Sequence, residues 1–94
     1  MKRVVITGIG AITPIGSGRD GLWRGVLEGR SAVGCVTRFD PSPFRSQVAA
    51  QVNDFDPLDH LDAQRARRLD RYSQFAIAAA QQAVLDSGLC LSSK

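Results

Sequence analysis

Histidine is nearly missing from this chain. His60 stands alone, and the two cysteines, Cys35 and Cys90, lie far apart with no CxxC spacing. Zinc sites draw their ligands from close pairs of these residue types, so no metal centre is expected. Two isolated cysteines without an export signal are expected to stay reduced, which points to a cytoplasmic location. Long hydrophobic runs are missing too. The N-terminal apolar stretch Val4 to Ile12 is broken by Thr7, Gly8 and Gly10 and ends at Pro14 with no small-residue cleavage site after it. It falls well short of the roughly 20 apolar residues that a membrane span requires. A strong excess of one charge is also lacking. Twelve basic and nine acidic residues leave a net charge of +3, which does not by itself imply nucleic-acid binding.

What is present fits one small domain and is too short for two, at 94 residues with 44% hydrophobic and 22% charged side chains. A chain this small buries a smaller share of its surface than a large domain does, so its stability margin is thin. Eight of the nine glycines and all four prolines fall within the first 57 residues. That part is rich in turns, and the remainder reads as helix. The layout suits the opening of a larger α/β fold, so residues 1–94 are expected to form an incomplete unit rather than a self-sufficient domain.

Val4-Val5-Ile6 reads as a strand buried on both faces. Thr7 to Gly18, with four glycines and Pro14, reads as a loop. Asp20 is positioned to cap a helix that presents Leu22, Trp23, Val26 and Leu27 on one face and stops at Gly29. Arg30 to Asp62 shows little periodicity. It holds a turn at Phe39-Asp40-Pro41-Ser42-Pro43, a short strand within Gln47 to Val52, and two anchors, Phe55 and Leu58. A connection of that length is uncommon in a small domain and implies wrapping around something larger. From Asp62 or Asp70 to Ser87 the chain reads as helix, with Leu69, Tyr72, Phe75, Ala76, Ala79, Ala80, Ala83 and Val84 on a wide apolar face and Gly88 as its left-handed stop. Asp70 is the expected N-cap of the apolar part. Alanines allow close packing but bury little each, so that face needs a large apolar partner.

Several residues invite chemistry. Gly8-Ile9-Gly10 after a strand suggests a dinucleotide site, yet the fingerprint needs a third glycine where Thr13 stands, and Pro14 delays the helix. A structural turn is the better reading, and no cofactor is expected. Neither cysteine has a context that would activate a thiolate, so both read as small apolar fillers or bystanders. His60 reads as a surface histidine near a helix start. The arginines are the most specific signal. Arg65 and Arg68, and Arg68 and Arg71, are spaced to share a helical face. Their two readings are a solvated face neutralised by Asp59, Asp62 and Asp70, and a docking patch for an acidic partner.

The ordered string of motifs adds to this. Lys2-Arg3-Val4-Val5-Ile6-Thr7-Gly8-Ile9-Gly10 leads to Thr13-Pro14-Ile15-Gly16, Leu22-Trp23, Gly29-Arg30-Ser31, Thr37-Arg38-Phe39-Asp40 and Asp54-Phe55-Asp56-Pro57. It closes with Arg67-Arg68-Leu69-Asp70-Arg71-Tyr72-Ser73-Gln74 and Asp86-Ser87-Gly88-Leu89. Over residues 2–89 this resembles the beginning of β-ketoacyl-acyl-carrier-protein synthases, especially the type II elongating enzymes of bacterial fatty acid synthesis. Ketosynthases of aromatic polyketide pathways share the flavour of Phe39 to Pro43 and of Arg45 to Ala50.

The resemblance implies the N-terminal part of a thiolase-like αβαβα sandwich, incomplete in this chain, with a homodimer as the full-length form. The implied reaction is decarboxylative condensation of malonyl-carrier protein with an acyl thioester, and the implied partner is the acidic acyl carrier protein, not nucleic acid or membrane. The family's nucleophilic cysteine and two histidines match no residue here, so no catalytic residue is assigned and the piece alone is expected to be inactive. Arg67 and Arg68 match part of the basic surface that receives the carrier protein. A further basic position of that surface falls on Gln64, with Arg65 beside it. Carrier-protein docking is therefore assigned to Arg65, Arg67 and Arg68. The alternatives are a polyketide ketosynthase, a nucleotide-binding α/β domain, and a non-catalytic module that binds carrier protein or nucleic acid.

Overall fold

A computed structural model describes residues 2–90. The order of elements is helix α1 (Gly18–Leu27), strands β1 (Val33–Cys35) and β2 (Val48–Ala50), a 3₁₀ turn (Pro57–Asp59), and helices α2 (Ala63–Arg68) and α3 (Arg71–Ser87). The strands pair antiparallel, with Val33 opposite Ala50, Gly34 opposite Ala49 and Cys35 opposite Val48. β2 falls inside the expected segment. β1 was not expected, because three residues around a glycine carry no periodic signal.

Val4-Val5-Ile6 departs from its expected state. It forms no strand, and Val4 and Ile6 are 97% and 85% exposed. A strand exists only through its hydrogen-bonded neighbours, and none of the described residues lies alongside this one as a ladder partner. α1 also differs in its start. Ser17, not Asp20, is the N-cap, and Asp20 sits in the first turn, where a negative charge favours the helix N-terminus. Of the expected apolar face, Trp23, Val26 and Leu27 are exposed, and the buried residue is Gly25, packed against Ile15.

α3 is the element on which the chain assembles. Gly88 ends it at φ 74°, as the sequence predicts. The segment before α1 crosses α3 at very short range. A β-carbon added at Gly10 would overlap the carbonyl oxygen of Ala79, and one at Gly8 would overlap that of Ala83. Gly8-Ile9-Gly10 is therefore a close backbone approach to a helix, not the turn its spacing suggests. The contact is locked by side chains of α3. The Ile9 N–H donates to Asp86 Oδ2 at 2.9 Å, and the Ala11 N–H donates to Gln82 Oε1 at 2.9 Å. Asp86 Oδ1 also pairs with Arg19 Nη1 of α1 at 2.9 Å, so one carboxylate joins α1, the N-terminal segment and α3.

Burial is sparse. Among the described residues only Leu61 and Ala78 form a buried apolar core. The alanine face of α3 is partly open, with Tyr72, Ala76 and Ala80 exposed. An open groove of about 520 Å³ lies along Ile77, Ala80, Gln81, Val84 and Leu85. A second, of about 410 Å³, is lined by Ile9, Leu22, Trp23 and Val26 beside Arg19 and Asp20. No helix among the described residues is long and apolar enough to cross a membrane.

Two outcomes are expected. In the full-length form, Gly10→Ala forces the N-terminal segment off α3 and destabilises the protein by about 1–3 kcal/mol, read as a lower denaturant midpoint; an unchanged midpoint contradicts the close approach. The isolated 94-residue chain gives no sharp cooperative melt as a monodisperse monomer, because so little of its apolar surface is covered. Calorimetry combined with sedimentation checks this.

Candidate basic docking surface

The arginines sit on a short helix with defined ends. The carboxylate of Asp62 accepts the backbone N–H of Arg65 at 2.8 Å and so caps α2. Asp56 does the same for the preceding 3₁₀ turn, accepting the Leu58 N–H at 3.0 Å. The acidic run of the sequence thus serves in part as helix caps. It makes no direct ion pair with the arginines, since no carboxylate among the described residues lies within ion-pair distance of Arg65, Arg67 or Arg68.

All three arginines are exposed and all belong to α2. At about 100° per residue, Arg65 and Arg68 project ~60° apart and Arg67 ~100° from Arg68. Their cations lie in the last turn of α2, where they complement the negative end of the helix dipole.

Arg71 is a correction. The helix breaks at Leu69 and Asp70, both in extended backbone conformations, so the spacing of Arg68 and Arg71 does not give a shared face. Asp70 is the N-cap of α3 as expected, without a side-chain bond. The Arg71 side chain turns inward instead. Its Nη2 donates to the Val52 carbonyl at 2.6 Å, and its guanidinium lies 4.9 Å from the Phe75 ring centre and 5.6 Å from that of Phe55. Partial desolvation, with a smaller contribution from the Arg38 charge, lowers the Arg71 pKa. Phe55 meets Phe75 edge-on at 4.9 Å between ring centres, so this cluster fastens the long connection to α3. Phe55 is the anchor the sequence suggests, whereas Leu58 is exposed.

His60 is half-buried rather than a free surface group. It stacks on Phe55 at 5.5 Å, and its carbonyl accepts from Gln81 Nε2 at 3.3 Å. Cys35 and Cys90 are exposed, so neither fills an apolar gap. Among the described residues no cluster of three or more His, Cys, Asp or Glu side chains is arranged to hold a metal.

Gln74 is the residue that sequence reasoning missed. It is buried on α3, and its Nε2 donates to the Ala66 carbonyl at 2.8 Å and to the Leu69 carbonyl at 3.4 Å. Its only signal in sequence is a polar residue one position before Phe75 on an otherwise apolar face. Asp86 and Gln82 escape notice for the same reason.

The family model described as "Beta-ketoacyl synthase, N-terminal domain" matches residues 1–93. The chain is 47% identical over 90 residues to 3-oxoacyl-[acyl-carrier-protein] synthase 2 of Synechocystis sp., covering 96% of this chain and 22% of that protein. It is 48% identical over 88 residues to the protein of the same name from Coxiella burnetii, covering 94% and 21%. Among solved structures, the ishigamide ketosynthase/chain length factor superposes with a TM-score of 0.82 at 39% identity, covering 95% of this chain and 22% of that one. The chain thus spans about a fifth of the length of the relatives it matches.

One outcome follows from the Arg71 cluster. Arg71→Ala leaves the Val52 carbonyl unpaired and removes the cation from both rings, costing about 1–3 kcal/mol in a denaturant titration of the full-length protein. A loss near zero means that the connection is held in place by other contacts.

Proposed function

The chain belongs to the β-ketoacyl synthase family, and from that premise we propose that it is the N-terminal part of a 3-oxoacyl-[acyl-carrier-protein] synthase of fatty acid biosynthesis. The observation that carries this reading is the match to such synthases at 47–48% identity along nearly the whole chain. In the complete protein, an acyl group is loaded on a cysteine thiolate and malonyl-carrier protein loses carbon dioxide. The carbanion so formed attacks the thioester, extends the acyl chain by two carbons and releases the thiolate. The nucleophilic cysteine and its histidine partners are assigned to chain outside residues 1–94.

The open grooves beside Trp23 and along Ala80 and Val84 are then surfaces for the remaining layers of a cytoplasmic, homodimeric enzyme. The role left to residues 1–94 besides scaffolding is docking. Arg65, Arg67 and Arg68 form an exposed basic helix without internal ion pairs among the described residues, which suits an acidic carrier protein. Each exposed contact of this kind contributes roughly 0.2–1 kcal/mol, so the patch acts collectively. A ketosynthase of a polyketide pathway is the second reading, motivated by the resemblance over Phe39 to Pro43 and Arg45 to Ala50 and compatible with the superposition on a ketosynthase/chain length factor.

Charge reversal tests the patch. Arg67→Glu combined with Arg68→Glu raises KM for malonyl-carrier protein roughly tenfold or more in the complete enzyme, the two lost attractions becoming repulsions. An unchanged KM removes the docking role. Cys35→Ser and Cys90→Ser retain condensing activity, and loss of activity in either places the nucleophile within this chain.

A further inference from the structure

We infer that Gln74 is a positioning residue for the basic helix: from its buried site on α3 its amide holds the C-terminal end of α2, and so sets how Arg67 and Arg68 face an acidic carrier protein. This rests on the docking reading above.

α2 has six residues. Helices shorter than about 12–15 residues are marginal in isolation, so its pose must come from outside itself. Its last turn has one weak backbone closure, the Leu69 N–H donating to the Ala66 carbonyl at 3.4 Å, and the extended backbone at Leu69 and Asp70 makes the joint with α3 a hinge rather than a continuous rod. The Asp62 cap closes its start from within, and one side chain from another element, Gln74 of α3, restrains its end. At the N-terminal end the Asp62 carboxylate takes the Arg65 N–H. At the C-terminal end one Gln74 nitrogen spans the hinge, donating to Ala66 inside α2 and to Leu69 in the joint.

The chemistry asks for an amide at this position. Both partners are carbonyl oxygens, so the side chain must donate, and glutamate at neutral pH has no proton to give. The site is 9% exposed, so water does not readily replace a lost donor. Arg67 and Arg68 have no side-chain hydrogen bond or ion pair among the described residues, and their directions therefore follow the α2 backbone.

The test uses the complete enzyme and the KM for malonyl-carrier protein. Gln74→Ala is expected to raise that KM about 3- to 10-fold, the span of one or two lost hydrogen bonds, with kcat at saturating carrier substrate unchanged. Added to an Arg67→Ala/Arg68→Ala background, it is expected to have no further effect, since there is then nothing left to orient. Gln74→Met keeps the side-chain length and packing without a donor, and gives the same result should the alanine variant fail to fold. A wild-type KM in the Gln74 variants, with a raised KM in Arg67→Ala/Arg68→Ala, overturns the positioning role and leaves docking intact. A full additional effect of Gln74→Ala in the arginine-free background also overturns it, placing the contribution in the fold at large. An unchanged KM in Arg67→Ala/Arg68→Ala overturns the docking reading and this inference with it.

Discussion

The close approach of the N-terminal segment to α3 is the contact on which the rest depends. Gly8 and Gly10 have no side chains to hold the segment away, and Ala79 and Ala83 offer almost none in return. That proximity contributes little burial by itself. Its importance is that it brings main-chain N–H groups within reach of polar side chains on one helix. Asp86 and Gln82 then take the N–H groups of Ile9 and Ala11, and Asp86 also captures Arg19 from α1. Further along the same helix, Phe75 and Arg71 receive Phe55, and Gln74 receives α2. One helix thus organises the chain mainly through directed bonds, since little apolar surface is covered within the described residues.

Legibility in the sequence divides along the same line. The helical C-terminal third, its Gly88 stop, the second strand, the Phe55 anchor and the α/β class were all readable, because each leaves a local pattern. The ordered motifs also carry the family, since they run through the same residues that match the β-ketoacyl synthase N-terminal domain. The failures are non-local. Val4-Val5-Ile6 has strand composition but no neighbour to pair with among the described residues, β1 has a neighbour but no pattern, and the Gly8-Ile9-Gly10 spacing gives no hint of a helix some 70 residues away. The arginines illustrate both cases. Their clustering was visible, but spacing alone placed Arg71 with Arg68, and only the break at Leu69 and Asp70 separates an inward clamp from an outward patch.

The acidic run is partly structural. Asp56 and Asp62 use carboxylate oxygens on backbone N–H groups at the starts of a 3₁₀ turn and a helix. A carboxylate so engaged favours the local fold while leaving neighbouring cations free of a contact partner. The sign reversal between residues 54–62 and 65–71 therefore separates two tasks along the chain: the first stretch starts helices and the second presents charge.

The tethering of α2 has a consequence for its surface charge. Its cap and its one fastening to α3 use the side chains of Asp62 and Gln74 and otherwise main-chain atoms, and none of these bonds requires the identity of residues 64, 65, 67 or 68. Surface charge at these positions is thereby uncoupled from the architecture beneath it. Charge there can be raised, lowered or shifted along the helix without reworking the scaffold that holds it.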